Sequence, residues 1–236
     1  MPAPEWLTDP TYRNVYETME AQRVADVPYE EWLDFWFGGA IVASGYPWFH
    51  DVPYRSFRPE MANDYARRLF TNAREDLAYF HDDQIGAGMW ILVSDDHIQL
   101  SHPDVPIDQR EATLHASVDL FRDLFATRCA PALAHSSNDQ PLINSACYMW
   151  WEYLTHIAFP GDPAFDRMRS ACFDVMEATL QIPHPAVQES ALHGLGHEAA
   201  RSERARDIID RFLAAPNDAS PDLITYARAA RAGCIQ

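Results

Sequence analysis

The chain has 236 residues and a hydrophobic fraction of 47%, which is typical of a globular protein and excludes an intrinsically disordered chain. Its 35 acidic residues outnumber its 18 basic ones, so that the formal net charge is −17 at pH 7. Such a charge argues against binding to nucleic-acid phosphates or to anionic membrane surfaces, and it favours solubility and a basic protein partner.

Helical periodicity, with proline at the positions where helices begin, predicts a chain of helices. Asp9-Pro10 opens the first helical pattern, and Pro28 opens the second, which ends at Gly38-Gly39. Residues 40–58 form a loop rich in aromatic residues and proline. Beyond this loop the pattern predicts helices at residues 59–80, 107–129, 141–158, 163–181, 185–199, 202–215 and 221–232.

One apolar segment, residues 85–93, is short enough to be either a buried strand or a buried helix. The patterns on both sides of it are helical, and Asp82 and Asp83 are good residues for the N-terminus of a helix. We therefore predict a helix here as well.

The connections between the predicted helices are short and rich in Pro, Gly and Asp, as antiparallel neighbouring helices require. No long or low-complexity linker separates them, so residues 1–236 are interpreted as one all-α domain. A single amphipathic hairpin cannot bury its own apolar face and needs a neighbour on each side. The expected architecture is an α-α superhelix of stacked hairpins, with irregular aromatic loops.

Residues 183–197 carry the most distinctive motif, Pro-His-Pro-Ala-Val-Gln-Glu-Ser-Ala-Leu-His-Gly-Leu-Gly-His. This segment resembles the HEAT-repeat signature, particularly the short bacterial repeats related to phycobilin lyases. The positions that match are Val187, Ala191, Leu192, Leu195 and Gly196. Gln188 stands where the pattern has Arg, and the Asp usual at the start of the repeat is absent. The resemblance implies a HEAT-like solenoid whose degenerate repeats match best over residues 107–232.

A stack of helices presents an extended surface that suits protein recognition. Together with the acidic charge, this predicts a non-enzymatic module of bacterial type that binds a basic protein, for example an immunity or adaptor protein. Exposed aromatic residues often form the centre of an interface, which makes Trp48, Phe49, Trp150 and Trp151 candidate binding residues. The alternative for all four is packing. No catalytic residue, cofactor, nucleic-acid partner or membrane partner is expected, and the oligomeric state stays open.

A cytoplasmic location is expected from two features of the sequence. The first residues lack a basic region followed by an apolar stretch, and no run approaches the length of about 18 apolar residues that a membrane-spanning helix needs. Cysteines 129, 147, 172 and 234 have no metal-knuckle spacing, and we interpret them as buried free thiols in a reducing compartment.

His193 and His197 lie four residues apart, a spacing at which two imidazoles on one helix can bind zinc. Gly194 stands where the helix motif of zinc proteases has its Glu base, and the sequence specifies no third ligand. A metal-dependent hydrolase that uses this pair with nearby carboxylates is the alternative function, and a contact or packing role is the simpler one. On a helical wheel both histidines lie nearly opposite the apolar stripe, so they are expected on an exposed face.

Two further alternatives remain open at this stage. The resemblance to lyases implies a carrier of a small ligand or chromophore, with the aromatic loop lining its pocket. Residues 81–83 and 95–97 also combine histidine with aspartate, as metal centres do, although helix capping and turn formation explain these residues more simply. The sequence contains no nucleophile elbow and no phosphate-binding loop.

Overall fold

The computed structural model describes residues 23–24, 26–38, 56–94, 96–136, 140–154, 162–216 and 218–235. Within them the protein is all-α, apart from two parallel strands of two residues each, β1 (Arg23–Val24) and β2 (Ser56–Phe57). The helices are α1 (Tyr29–Phe37), α2 (Pro59–Asp76), α3 (Asp82–Ser94), α4 (Ile107–Leu120), α5 (Leu142–Leu154), α6 (Phe165–Leu180), α7 (Pro185–Ala199), α8 (Glu203–Ala214) and α9 (Pro221–Arg231). A π-helical segment, Phe121–Phe125, and a short turn, Ala126–Arg128, continue α4.

Four of the helices begin with a proline or a serine cap that reduces the number of unsatisfied backbone N–H groups. Pro59, Pro185 and Pro221 stand in the first turn of their helices, where a missing N–H costs nothing. The side chains of Ser202 and Ser220 accept hydrogen bonds from the backbone at the start of α8 and α9. These local signals explain why the predicted helix bounds lie within a few residues of the observed ones.

The prediction of a helix at residues 85–93 is confirmed, because α3 spans this segment. Its glycines permit close contacts on two sides. A Cβ added to Gly86 would lie 2.6 Å from the backbone of Ile143 in α5, and one added to Gly88 would lie 2.4 Å from the ring of Phe37 in α1. The apolar run is therefore enclosed by neighbouring helices.

Alternate helices along the chain pack against one another, which places them in two rows. In the first row α1 packs on α3, α3 on α5, α5 on α7 and α7 on α9. In the second row α2 packs on α4, α4 on α6 and α6 on α8. Helix α7 also contacts α6 and α8 of the second row, so it has neighbours on four sides.

The buried residues form a continuous hydrophobic cluster that contains both candidate tryptophans of α5. Trp150 and Trp151 are 0% and 1% exposed. Phe121 stacks on Trp151 with a ring distance of 5.9 Å and meets Trp150 edge to face at the same distance. The structure therefore places this pair in the core, as the packing alternative requires, and not on an exposed binding surface.

The cysteines correspond in part to the expectation of buried thiols. All four are free, and Cys129, Cys147 and Cys172 are buried. The expectation is wrong for Cys234, which lies exposed just beyond α9.

Two sets of predicted features lie outside the described residues. They are the helical pattern that opens at Asp9-Pro10 and most of the aromatic loop 40–58, including Trp48 and Phe49. Among the residues that the structure describes, none of the helices is both long enough and apolar enough to cross a membrane.

Candidate metal centre

Helices α5 and α7 bring together one carboxylate and the two histidines that the sequence singled out. The Oε2 atom of Glu152 lies 2.8 Å from Nε2 of His197 and 3.5 Å from Nε2 of His193. The two Nε2 atoms are 3.1 Å apart. Three atoms that can each donate a lone pair thus converge on one point, from two adjacent helices of the first row.

The triangle of donor atoms has the size of one face of a zinc coordination tetrahedron. With metal–ligand bonds of about 2.0–2.1 Å, the edges of such a tetrahedron are about 3.3 Å long. The three observed separations, 2.8, 3.1 and 3.5 Å, scatter around this length. The circle through the three atoms has a radius of about 1.8 Å, so an ion just outside their plane reaches all three at ordinary bond lengths.

The cluster is closed on one side and open on the other. His193 is buried, with 2% of its side chain exposed, whereas the side chains of His197 and Glu152 are 34% and 42% exposed. A ligand would therefore approach past His197 and Glu152, while His193 forms the inner wall.

The buried position of His193 contradicts the expectation that both histidines lie on an exposed face. A helical wheel identifies the solvent side only when one side of the helix faces solvent, and α7 has neighbours on four sides. Ala191, Leu192 and His193 are all buried as a consequence.

The environment of His193 favours the neutral imidazole, which is the form that binds a metal ion. Burial of the ring, and secondarily the proximity of His197, lowers the pKa of His193 to about 3. A protonated ring would lose its hydration without gaining a partner of opposite charge that is equally buried.

A hydroxyl from α9 contacts the inner nitrogen of His193. The Oη atom of Tyr226 lies 2.9 Å from Nδ1 of His193, and it lies 3.0 Å from Oη of Tyr148 on α5. The ring of Tyr148 also packs against the ring of His193, with centroids 4.2 Å apart. Burial raises the pKa of both tyrosines, so both hydroxyls stay protonated and can donate.

A second carboxylate–histidine pair, Glu189 and His135, lies next to the ring of Tyr226. Glu189 of α7 is fully buried and accepts hydrogen bonds from the backbone N–H groups of Ala134 and His135, at 2.6 and 3.1 Å. Its Oε1 also contacts Nδ1 of His135, whose ring stacks on Tyr226 with centroids 4.5 Å apart. This pair adjoins the ring of Tyr226 on the Nδ1 side of His193 and supplies no atom to the Glu152 cluster.

Within the described ranges, Glu152, His193 and His197 form the one group of three such side chains close enough to hold a metal ion. The described residues of the two His-Asp segments near α3 form no such group, and Asp95 lies outside the described residues. Asp82 forms an ion pair with Arg128, and Asp96 accepts hydrogen bonds from the backbone N–H groups of Leu100 and Ser101. His97 packs against the ring of Trp36.

Sequence reasoning found the histidines but missed Glu152 and Tyr226. The sequence did contain one signal for Glu152, because it is the one residue of α5 that is charged at neutral pH. A charge in such a helix is costly unless it is solvated or paired. No comparable signal marked Tyr226, because an aromatic residue on one face of a helix usually packs in a core.

Comparison of the chain with protein-family models, with curated proteins and with solved structures finds no match.

Proposed function

We propose that this protein binds a divalent transition-metal ion through Glu152, His193 and His197 and uses it for hydrolysis. The observation that supports this most is the convergence of three donor atoms in a triangle of tetrahedral size. In the tautomers with the proton on Nδ1, both imidazoles direct a lone pair from Nε2 toward the point that the Glu152 carboxylate also faces.

The set of ligands suits zinc or a similar ion better than calcium or magnesium. Imidazole favours transition metals, whereas calcium and magnesium prefer sites made of oxygen atoms. Two histidines and one glutamate leave a fourth position for water, as in catalytic zinc sites. A metal held by Glu152, His193 and His197 would supply an activated water for the hydrolysis of an ester or amide.

The arrangement of helices supports the finer description of the fold as a HEAT-like solenoid. Two rows in which each helix packs on the second helix along the chain are what stacked helical hairpins produce. In this interpretation the metal centre lies between two successive hairpins, where α5 meets α7.

Binding of a basic protein, as by an immunity or adaptor protein, stays a prediction of the sequence. Its support is the net charge of −17 and the extended surface of a stacked structure. A cytoplasmic location is a prediction of the same kind.

Metal analysis of the purified protein tests the proposed function. We expect the wild type, after removal of metal with a chelator, to bind one equivalent of Zn²⁺. Glu152→Gln and His197→Ala each remove one ligand, and each should weaken binding by more than about 100-fold, beyond the usual effect of residues that only orient ligands. His115→Ala, which changes an exposed histidine of α4, is the matched control and should bind normally.

The same proteins test the hydrolytic activity. Hydrolysis of p-nitrophenyl acetate should require Zn²⁺ in the wild type and should be lost in Glu152→Gln but kept in His115→Ala. A wild-type protein that binds no stoichiometric transition metal, or a Glu152→Gln protein that binds it as tightly, would contradict the proposal.

A further inference from the structure

Tyr226 of α9 contacts His193 through its hydroxyl group, although it is not one of the three candidate metal-binding side chains. It is buried, with 6% exposure, and its hydroxyl oxygen lies 2.9 Å from Nδ1 of His193. Helix α9 follows α7 in the first row, as α7 follows α5. Three successive helices of this row thus each contribute a polar side chain to the same place.

The chemistry of imidazole makes this contact specific. A neutral imidazole carries a proton on one nitrogen and a lone pair on the other. In His193 the Nε2 atom faces Glu152 and His197, so metal binding requires the lone pair on Nε2 and the proton on Nδ1. In the part of the chain that the structure describes, the hydrogen-bond partner of Nδ1 is the hydroxyl of Tyr226.

The position of the Tyr226 hydroxyl is itself fixed from two sides. The ring of Tyr226 stacks on His135 at 4.5 Å, and the buried carboxylate of Glu189 holds the ring of His135. The hydroxyl lies 3.0 Å from that of Tyr148. With Nδ1–H of His193 donating to Tyr226, the Tyr226 hydroxyl is free to donate to the oxygen of Tyr148.

We propose that Tyr226 is the positioning residue of the metal centre: its oxygen accepts the Nδ1–H of His193 and holds the ring in the tautomer that directs a lone pair at the metal. This inference rests on the proposed function, and it adds a residue of a third helix to the site. Partners that orient metal-binding histidines typically contribute about 10- to 100-fold to metal affinity.

The test measures Zn²⁺ dissociation constants, by competition with a chromophoric chelator, for the wild type and two variants. Tyr226→Phe removes the hydroxyl and keeps the ring that stacks on His135. Ser220→Ala removes the N-terminal cap of α9, where the serine accepts a hydrogen bond from the backbone of Leu223, and so weakens α9 without changing Tyr226.

We expect Tyr226→Phe to bind Zn²⁺ about 10- to 100-fold more weakly, while Ser220→Ala stays within about threefold of the wild type. Circular dichroism and thermal unfolding of the metal-free proteins verify that each variant is folded. The visible spectrum of the Co²⁺-substituted proteins provides a second readout, because a displaced ligand in Tyr226→Phe changes the geometry-sensitive absorption bands whereas the loss of a helix cap does not.

The possible results separate a failure of the role of Tyr226 from a failure of the metal centre itself. Wild-type affinity in Tyr226→Phe would overturn the role of Tyr226 and leave the metal centre standing. An equal loss in Ser220→Ala would also overturn it, since the effect would then follow from the stability of α9. A wild-type protein without stoichiometric metal would overturn the proposed function, and this inference with it.

Discussion

Individual histidines in this protein differ in chemistry because they differ in burial. His193 and His184 have lowered pKa values, in both cases with burial as the main cause. At His184 a hydrogen bond with the backbone of Cys129 acts in the opposite direction without cancelling the effect of burial. A buried neutral histidine makes folding sensitive to acid, because the unfolded chain takes up the proton more readily than the folded one.

His184 provides a test of this effect away from the metal centre. Its folded pKa lies below the unfolded value of 6.5, so its contribution to stability is present above pH 6.5 and is lost as the pH falls toward the folded pKa. We expect the metal-free His184→Gln protein to lose less free energy of unfolding between pH 7.5 and pH 5.5 than the wild type. Urea unfolding at the two pH values measures this. The exposed His115→Gln is the control, and equal pH dependence in His184→Gln and the wild type would contradict the prediction.

At the scale of elements, α7 is the helix on which the arrangement depends, because it packs on α5, α6, α8 and α9. Gly194 permits two of these contacts. A Cβ added there would lie 2.5 Å from Cβ of Trp151 on α5 and 2.8 Å from Sδ of Met176 on α6. Both distances are shorter than side chains tolerate, and the nearer atom is attached directly to a backbone.

Gly194→Ala is therefore expected to destabilise the protein, although alanine is the better helix former. Alanine gains up to about 1 kcal/mol in helix propensity, whereas overpacking of a core costs about 1–3 kcal/mol. We predict a net loss of about 1–2 kcal/mol in the free energy of unfolding, measured by urea denaturation. Zn²⁺ affinity should fall as well, because the neighbouring His193 moves with the backbone. A variant as stable as the wild type would show that α5 and α7 can separate at no cost.

For the whole molecule, the balance between net charge and ion pairs decides how stability responds to salt. The net charge of −17 produces repulsion among carboxylates over long distances. Ion pairs oppose this repulsion, such as Arg167–Asp108 and Arg211–Glu177 of the second row, whose side chains are between 38% and 81% exposed. Exposed pairs contribute little, with a typical value of about 0–1 kcal/mol each.

Repulsion should therefore dominate, and salt should stabilise the fold. Raising NaCl from about 10 to about 150 mM shortens the screening length from about 30 to about 8 Å, which removes repulsion between distant charges before it affects contacting pairs. We expect the melting temperature to rise by about 2–4 °C, which corresponds to about 1 kcal/mol for a chain of this size. KCl should have the same effect as NaCl. A lower melting temperature in salt would mean that the ion pairs outweigh the repulsion.

The sequence by itself determined the all-α class and the approximate bounds of the helices. The signals for these are local: Pro185 and Pro221 in first turns, Ser202 and Ser220 as caps, and apolar periodicity between them. It also identified His193 and His197, because their spacing of four residues places them on one side of any helix.

Only the tertiary structure decided that Glu152 and Tyr226 join these histidines. Tyr226 contacts His193 across 33 residues of sequence and Tyr148 across 78, and no local pattern encodes such a distance. The same applies to the burial of His193 and of Trp150, which depends on how many helices surround α7 and α5. Periodicity specifies which residues share a face, but whether that face meets solvent or another helix depends on chain segments far away in the sequence.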